Sequence, residues 1–276
     1  MASASDQSQS QLITQAIRRV LEEGSVAALA TLIDAPGASA VLGAKFLLTH
    51  DALLAGGCDD VEVQNAIVRH AATFLGSNEQ TRTFKFGEFA PKLDNWQDAR
   101  VLFERIELEP RVVICGAGHV GASLARLAAL VGYRVTLIDD RAEFVAREAF
   151  PGEAVELVLA QGWSSAVSDA IGNGRSVSIA IVTRGHKEDE ECLRAVMLRA
   201  PDYVGLIGSK RRTRFVLNKL RDEGFAIEKL ARVRAPIGLD IGAVSPEEVG
   251  LAILAEIVAA RRGGTGRPLS KSENDF

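Results

Sequence analysis

A chain of 276 residues with 47% hydrophobic content is long enough to bury the cores of about two domains. Its formal net charge of −4, with Lys and Arg spread along the chain, argues against a nucleic-acid binder, and no apolar run approaches membrane-spanning length. The three cysteines, Cys58, Cys115 and Cys192, are widely spaced and include no C-x-x-C pair, which speaks against a disulfide framework and against a zinc site.

The first ten residues, MASASDQSQS, are polar and lack an apolar signal core, so residues 1–10 read as a disordered leader of a cytoplasmic protein. Residues 11–23 have the pattern of an amphipathic helix, with Leu12, Ile13, Ala16, Ile17 and Val20 on one face and Gly24 as its stop. Short strands are expected at 26–33, 44–48 and 53–54, separated by turns at Pro36-Gly37 and His50-Asp51. A helix over 61–75 and strands at 81–86 and 100–107 complete a small α+β domain, residues 11–108. Cys58 follows Gly56 and Gly57 in a polar turn, where a thiol can be exposed and reactive.

Residues 111–140 form the most specific unit. Val112 to Cys115 is an apolar strand of the kind buried on both faces of a parallel sheet, and Cys115 within it reads as a small buried hydrophobe. Gly116, Gly118 and Gly121 then give G-x-G-x-x-G, which permits a tight turn, close approach to a pyrophosphate and close packing of helix on strand. An Ala-rich helix with Leu124, Leu127, Ala128 and Val131 on one stripe follows, and Gly132 caps it. The next strand ends at Asp139, where a carboxylate can accept from a ribose 2′-hydroxyl and disfavour a 2′-phosphate, so a dinucleotide here would be NAD in preference to NADP. His119 lies in the first helical turn, either as a neutral donor to a ligand or as a solvent-facing side chain.

The α/β alternation continues with strands at 155–160, 177–183 and 203–207. His186 and Asp189 lie between the second of these and a helix over 190–198 that carries Cys192, on the edge where open α/β sheets bind ligands. They either orient a ligand or a metal-bound water, or make a loop hydrogen bond that caps the helix; two residues alone do not make a zinc or iron site. Gly208 and Ser209 open a helix bearing Lys210, Arg211, Arg212 and Arg214, which reads as an anion site or as a solvated basic face. Gly238 and Asp240 sit in a glycine-punctuated loop before a capping box of Ser245, Pro246 and Glu248, whose helix stops at Gly263. The expected fold is therefore α/β: a Rossmann-like parallel sheet with helices on both faces over 109–262, preceded by the α+β domain and followed by a flexible tail, 263–276.

GAGHVG, then LIDDR, TRGHKEDEECLRA, YVGLIGSKRRTRF and PIGLDIGAVSPEEVGLAILAEIVA, in this order and spacing over residues 111–262, resemble the XdhC/CoxI family of accessory proteins for molybdenum hydroxylases. The resemblance implies a homodimeric chaperone without turnover of its own. Such a protein binds molybdenum cofactor (molybdopterin), protects it while a cysteine desulfurase supplies the terminal sulfido ligand, and passes it to the apoenzyme of a xanthine dehydrogenase-like or CO dehydrogenase-like hydroxylase. The family's G-S-x-P-R-x-x-G-A-K segment corresponds to Gly37 to Lys45, which keeps the glycines and Lys45 but lacks the Pro-Arg pair. Lys45 can replace that bidentate arginine only as a point charge. The family's G-G-C-x-E turn appears as Gly56-Gly57-Cys58-Asp59-Asp60, and Phe89 to Leu93 stands where its later glycine-glycine turn would be.

Under the resemblance Cys58 is a soft ligand for molybdenum or a contact to the cofactor's sulfur; otherwise it is an uncharged turn cysteine. Gly116, Gly118, His119, Gly121, Asp139, Gly208, Ser209, Lys210, Arg211, Gly238 and Asp240 would bind the phosphate-bearing cofactor. Two other classes remain: an NAD(P)-binding oxidoreductase with Asp139 on a ribose and His186 as proton donor, and a nucleotide-binding regulatory module.

Overall fold

The computed structural model describes residues 4–36, 41–77, 79–151 and 154–270, with side chains from Gln9 onward. The chain divides into two units, Met1–Leu108 and Glu109–Phe276.

In the first unit, helix α1 (Ala4–Glu23) precedes strands β1 (Ala27–Asp34), β2 (Lys45–Leu48) and β3 (Leu53–Gly56), helix α2 (Val61–Gly76), strand β4 (Thr81–Lys85), the short helix α3 (Phe86–Phe89) and strand β5 (Arg100–Ile106). The strands form an antiparallel sheet in the order β3-β2-β1-β5-β4. Val63, Ala66, Ile67 and Phe74 of α2 pack with Phe46, Phe84, Val101 and Phe103 of the sheet, while Val20 of α1 packs with Ala27 and Leu47. α1 begins at Ala4, so residues 4–10, read as a leader, are helical. Apolar periodicity starts only at Leu12, and exposed polar residues extend a helix without leaving such a signal. Residues 1–3 of the expected leader, Gly37 to Ala40 of the first family segment and 271–276 of the tail lie outside the described residues.

The second unit runs β6 (Arg111–Cys115), α4 (His119–Leu130), β7 (Arg134–Asp139), β8 (Val155–Leu159), α5 (Trp163–Ile171), β9 (Val177–Ile181), α6 (His186–Arg199), β10 (Tyr203–Leu206), α7 (Lys210–Asp222), the short α8 (Ile227–Leu230) and α9 (Pro246–Arg262). Its sheet is wholly parallel, in the order β10-β9-β6-β7-β8. This is the doubly wound arrangement with its switch point between β6 and β9, where ligands of such sheets bind.

Alternation along β6 divides the core. Val112 and Ile114 join Leu124, Ala125 and Ala128 of α4 and Ile253 and Ile257 of α9, while Val113 and Cys115 join Val167 of α5 and Cys192 and Val196 of α6. α5 has no counterpart among the elements expected from sequence, although Trp163, Val167 and Ile171 repeat every four residues on its buried face.

Two glycines of the turn after β6 are required by the fold and the third is not. A Cβ on Gly121 would stand 1.8 Å from the Gly116 carbonyl oxygen, and one on Gly116, at φ +112°, would stand 2.6 Å from that of Val182. Gly118 has φ −64° and open space around its Cβ position. Gly121→Val is therefore expected to cost about 3 kcal/mol in urea denaturation, and Gly118→Ala less than about 0.5 kcal/mol. Equal losses from the two would contradict this assignment.

Candidate functional site

In the first unit, a cavity of about 630 Å³ is lined by Gln9, Ser10 and Ile13 of α1, by Val41 to Lys45, by Gly56 to Asp59, and by Gln64 of α2. Its floor is the turn after β3. Gly56 has φ +87°, and a Cβ there would stand 2.0 Å from the Lys45 carbonyl oxygen, which accepts from the Gly57 amide at 3.0 Å. Gly57 is tied in turn to α1, whose Gln9 Nε2 donates to its carbonyl at 3.3 Å.

Cys58 is half-buried on this turn and its thiol donates to the Asp60 carbonyl at 3.4 Å. Burial is the largest influence on that thiol; with the nearby Asp60 and Asp59 carboxylates it outweighs the hydrogen bond and pushes the pKa up. Asp60, in the place of the family's glutamate, caps α2: its Oδ1 accepts from the Glu62 and Val63 amides, each at 3.1 Å. Lys45 and Cys58, singled out from sequence, thus line one cavity together with Gln9 and Gln64, which the sequence reading missed. Two isolated glutamines 55 positions apart carry no motif that could have marked them.

In the second unit, Gly118 is the N-cap of α4 and His119 its exposed first residue. The leading amides of a helix have no acceptor within it, which makes this turn a seat for an anion. Asp139, 1% exposed, is committed to holding the turn. Its Oδ2 accepts from the Ala117 amide at 2.7 Å and from Arg141 Nη2 at 3.0 Å, and its Oδ1 from the Arg141 amide at 3.0 Å and Nε at 2.8 Å. Burial pushes the Asp139 carboxyl up, but the hydrogen bonds from Arg141 and Ala117 outweigh it and hold the carboxyl below the usual range. The guanidinium also lies over the Phe144 ring, 3.7 Å from its centroid. An arginine two positions along therefore covers the carboxylate that the sequence reading offers to a ribose.

His186 and Asp189 diverge. His186 is the exposed first residue of α6, its ring edge-on to Phe215 at 6.2 Å between centroids. Asp189 is fully buried, accepting from Thr183 Oγ1 at 2.6 Å and from Arg212 Nε at 2.8 Å. Burial pushes its carboxyl up against the pull of these two donors. Arg212 is thereby drawn from the basic cluster onto α6. Ser209 caps α7, accepting from the Arg212 amide at 3.2 Å, and Lys210, Arg211 and Arg214 stay exposed with no ion pair among the described residues. Cations in the first turn of a helix add to the positive end of its dipole, so an anion there would be favoured. Asp240 is exposed, while Gly238 in the same loop donates from its amide to Glu256 Oε2 at 2.6 Å, an oxygen that also accepts from the Tyr203 hydroxyl at 2.7 Å. Among the described residues, no group of three His, Cys, Asp or Glu side chains is placed to hold a metal ion, and no helix is long and apolar enough to cross a membrane.

These features define a Rossmann protein with a separate cavity-bearing α+β unit. The chain belongs to the XdhC family: the model of the XdhC Rossmann domain matches residues 112–257. It is 28% identical over 254 residues to "Uncharacterized protein YqeB" of Escherichia coli, covering 91% of this chain and 46% of that one. It is 28% identical over 166 residues to a probable xanthine dehydrogenase subunit of Bacillus subtilis, covering 60% of this chain and 47% of that one. Against the Escherichia coli "Molybdenum cofactor insertion chaperone PaoD" it is 25% identical over 279 residues, with 87% and 85% covered. The chain thus spans about half the length of the first two relatives and most of the third. A solved structure titled as a xanthine dehydrogenase from Bacillus halodurans shares the fold, with a TM-score of 0.61, 17% identity, and 92% of this chain and 68% of that chain covered.

The Asp139 arrangement has a measurable consequence. Asp139→Asn is expected to cost about 3 kcal/mol at neutral pH, because Arg141 then lies over a site that has lost its charge. With its folded-state pKa lowered, the Asp139 contribution is present above the unfolded value of about 4 and is lost as pH falls through the folded value. The wild type should therefore show an acid-side loss of stability in denaturant titrations that the variant lacks in part. Equal stability of the two at pH 7 would contradict the assignment.

Proposed function

We propose that this protein is an accessory factor that binds molybdenum cofactor and supports its sulfuration and insertion into a xanthine dehydrogenase-like or CO dehydrogenase-like molybdenum hydroxylase. The observation that carries this reading is the cavity of the first unit, which gathers Lys45, Gly56, Gly57 and Cys58 with two carboxamides on one pre-formed surface. The donor set fits such a cargo. A sulfur suits a soft metal, an ammonium suits an anionic group, and the Gln9 and Gln64 amides can pair with the polar edge of a planar heterocycle. The names of two relatives, one a molybdenum cofactor insertion chaperone and the other part of a xanthine dehydrogenase, support the same class.

In this account the chain's residues hold and release; they do not turn over a substrate. Cys58 contacts the molybdenum end and Lys45 an anionic group. The glycine turn at Gly118 and His119 and the turn at Gly208 to Arg211, with Gly238 and Asp240 in a neighbouring segment, offer anion seats in the second unit. A cysteine desulfurase would supply sulfur, and the hydroxylase apoenzyme would receive the loaded cofactor, with the chaperone acting as a homodimer in the cytoplasm. Three free thiols suit a reducing compartment of that kind.

The test is calorimetric titration of the full chain with isolated molybdenum cofactor. Cys58→Ala and Lys45→Ala are each expected to weaken binding about tenfold or more. Affinities unchanged in both variants, or no binding by the wild type, would overturn the reading.

A further inference from the structure

The C-terminal edge of the parallel sheet carries a connected set of charges that neither the glycine motif nor the cavity of the first unit explains. β7 and β9 lie on either side of β6. Asp140, the residue after β7, accepts at Oδ2 from Arg184 Nη2 at 2.8 Å, and Arg184 lies three residues past the end of β9. Neighbouring strands are about 4.8 Å apart, so an ion pair joining the segments after β7 and β9 has to cross the end of β6, from which the glycine turn rises.

The pair does not stand alone. Arg184 Nε lies 3.4 Å from Glu188 Oε1 in the first turn of α6, and Asp140 Oδ1 lies 3.9 Å from Arg141 Nε. Arg141 in turn covers Asp139 and the Phe144 ring. Five charged groups thus run from β7 to α6: Asp139, Arg141, Asp140, Arg184 and Glu188. A network of this kind holds its geometry better than an isolated surface pair, because ordering one side chain serves two contacts.

A dinucleotide bound to a doubly wound sheet lays its pyrophosphate on the glycine turn and its adenosine ribose against the acid at the end of the second strand. Here that acid is Asp139, whose oxygens are taken by Arg141 and Ala117. The path from the glycine turn past the end of β7 is crossed by the Asp140–Arg184 pair.

We propose that Asp140 and Arg184 are specificity-determining residues that strap the adenosine side of the Rossmann crevice shut, so that the crevice rejects adenine dinucleotides. The phosphate side is untouched by the strap: Gly118 has open space at its Cβ position, and among the described residues His119 has no side-chain partner. The strap thus selects by size and shape, against a ligand that must extend from the turn to the end of β7. This inference concerns the second unit and does not rest on cofactor binding in the cavity of the first.

The experiment titrates the full chain with NAD, NADP and AMP by calorimetry, for the wild type, Arg184→Ala, Asp140→Ala/Arg184→Ala and the control Arg221→Ala. Arg221 is an exposed arginine paired with Asp222 elsewhere on the unit, and its removal reports the effect of losing a positive charge alone. Arg184 is half exposed, so its truncation leaves the core intact, and Arg184→Gln provides a second variant should the double one fail to fold. The wild type and Arg221→Ala should show no NAD binding at millimolar ligand, with Arg184→Ala and the double variant gaining affinity by about tenfold or more. Wild-type binding as tight as that of the opened variants would overturn the proposal. So would a failure of every opened variant to bind any of the three ligands, since the strap would then not be what excludes them.

Discussion

Both units of this chain are organised around a carbonyl oxygen packed where a side chain would otherwise begin. In the second unit the Gly116 oxygen takes the Cβ position of Gly121, which seats α4 directly on the turn after β6. In the first, the Lys45 oxygen takes that of Gly56, which folds the Gly57-Cys58 segment back onto β2. The steric cost of any larger residue is local and severe, since a backbone oxygen cannot rotate out of the way as a side chain can. What each contact provides is a turn whose exposed amides and side chains keep fixed positions before any ligand arrives, the condition under which a binding surface loses least entropy.

From these two turns the remaining chemistry follows in different directions. Around the Rossmann turn nearly every charged group is already satisfied within the protein. Asp139 holds the Ala117 amide and Arg141, Asp189 holds Thr183 and Arg212, and Glu256 joins the Gly238 amide to the Tyr203 hydroxyl. Among the described residues, Lys210, Arg211 and Arg214 remain as unpaired cations in the first turns of α7. Around the turn of the first unit the balance is reversed. Lys45, Gln64 and the Cys58 thiol line open volume, and among the described residues the long-range side-chain tie there is that of Gln9 to the Gly57 carbonyl. A protein that must carry a reactive cargo and release it is served by such a division, with one rigid scaffold and one polar cavity of modest depth.

Much of this was legible in the residues. The parallel strands announced themselves because they are buried on both faces and so are continuously apolar, as Val112 to Cys115 and Val177 to Ile181 are. The capping box at Ser245 and Glu248 fixed the start of α9, and its two hydrogen bonds are present. The cavity-lining Lys45 and Cys58 came from resemblance to a family pattern, not from periodicity. Other features left no such trace. α5 is short, with a polar outer face rich in serine, and its four-residue repeat of Trp163, Val167 and Ile171 is too brief to stand out against a loop. The role of Asp139 turned on Arg141 reaching back over it, and that of Arg212 on a carboxylate 23 residues earlier in the chain. Which of several nearby charges will pair is decided by tertiary approach, and a motif fixes only that they are present.

The central claim is that the cargo sits in the cavity of the first unit. Hydrogen exchange of the full chain, with and without isolated molybdenum cofactor, tests it directly by mapping which backbone amides gain protection. The account predicts slowed exchange in residues 41–45 and 56–59 and in the first turns of α1 and α2. Protection confined to the glycine turns after β6 and β10, with the first unit unchanged, would contradict it.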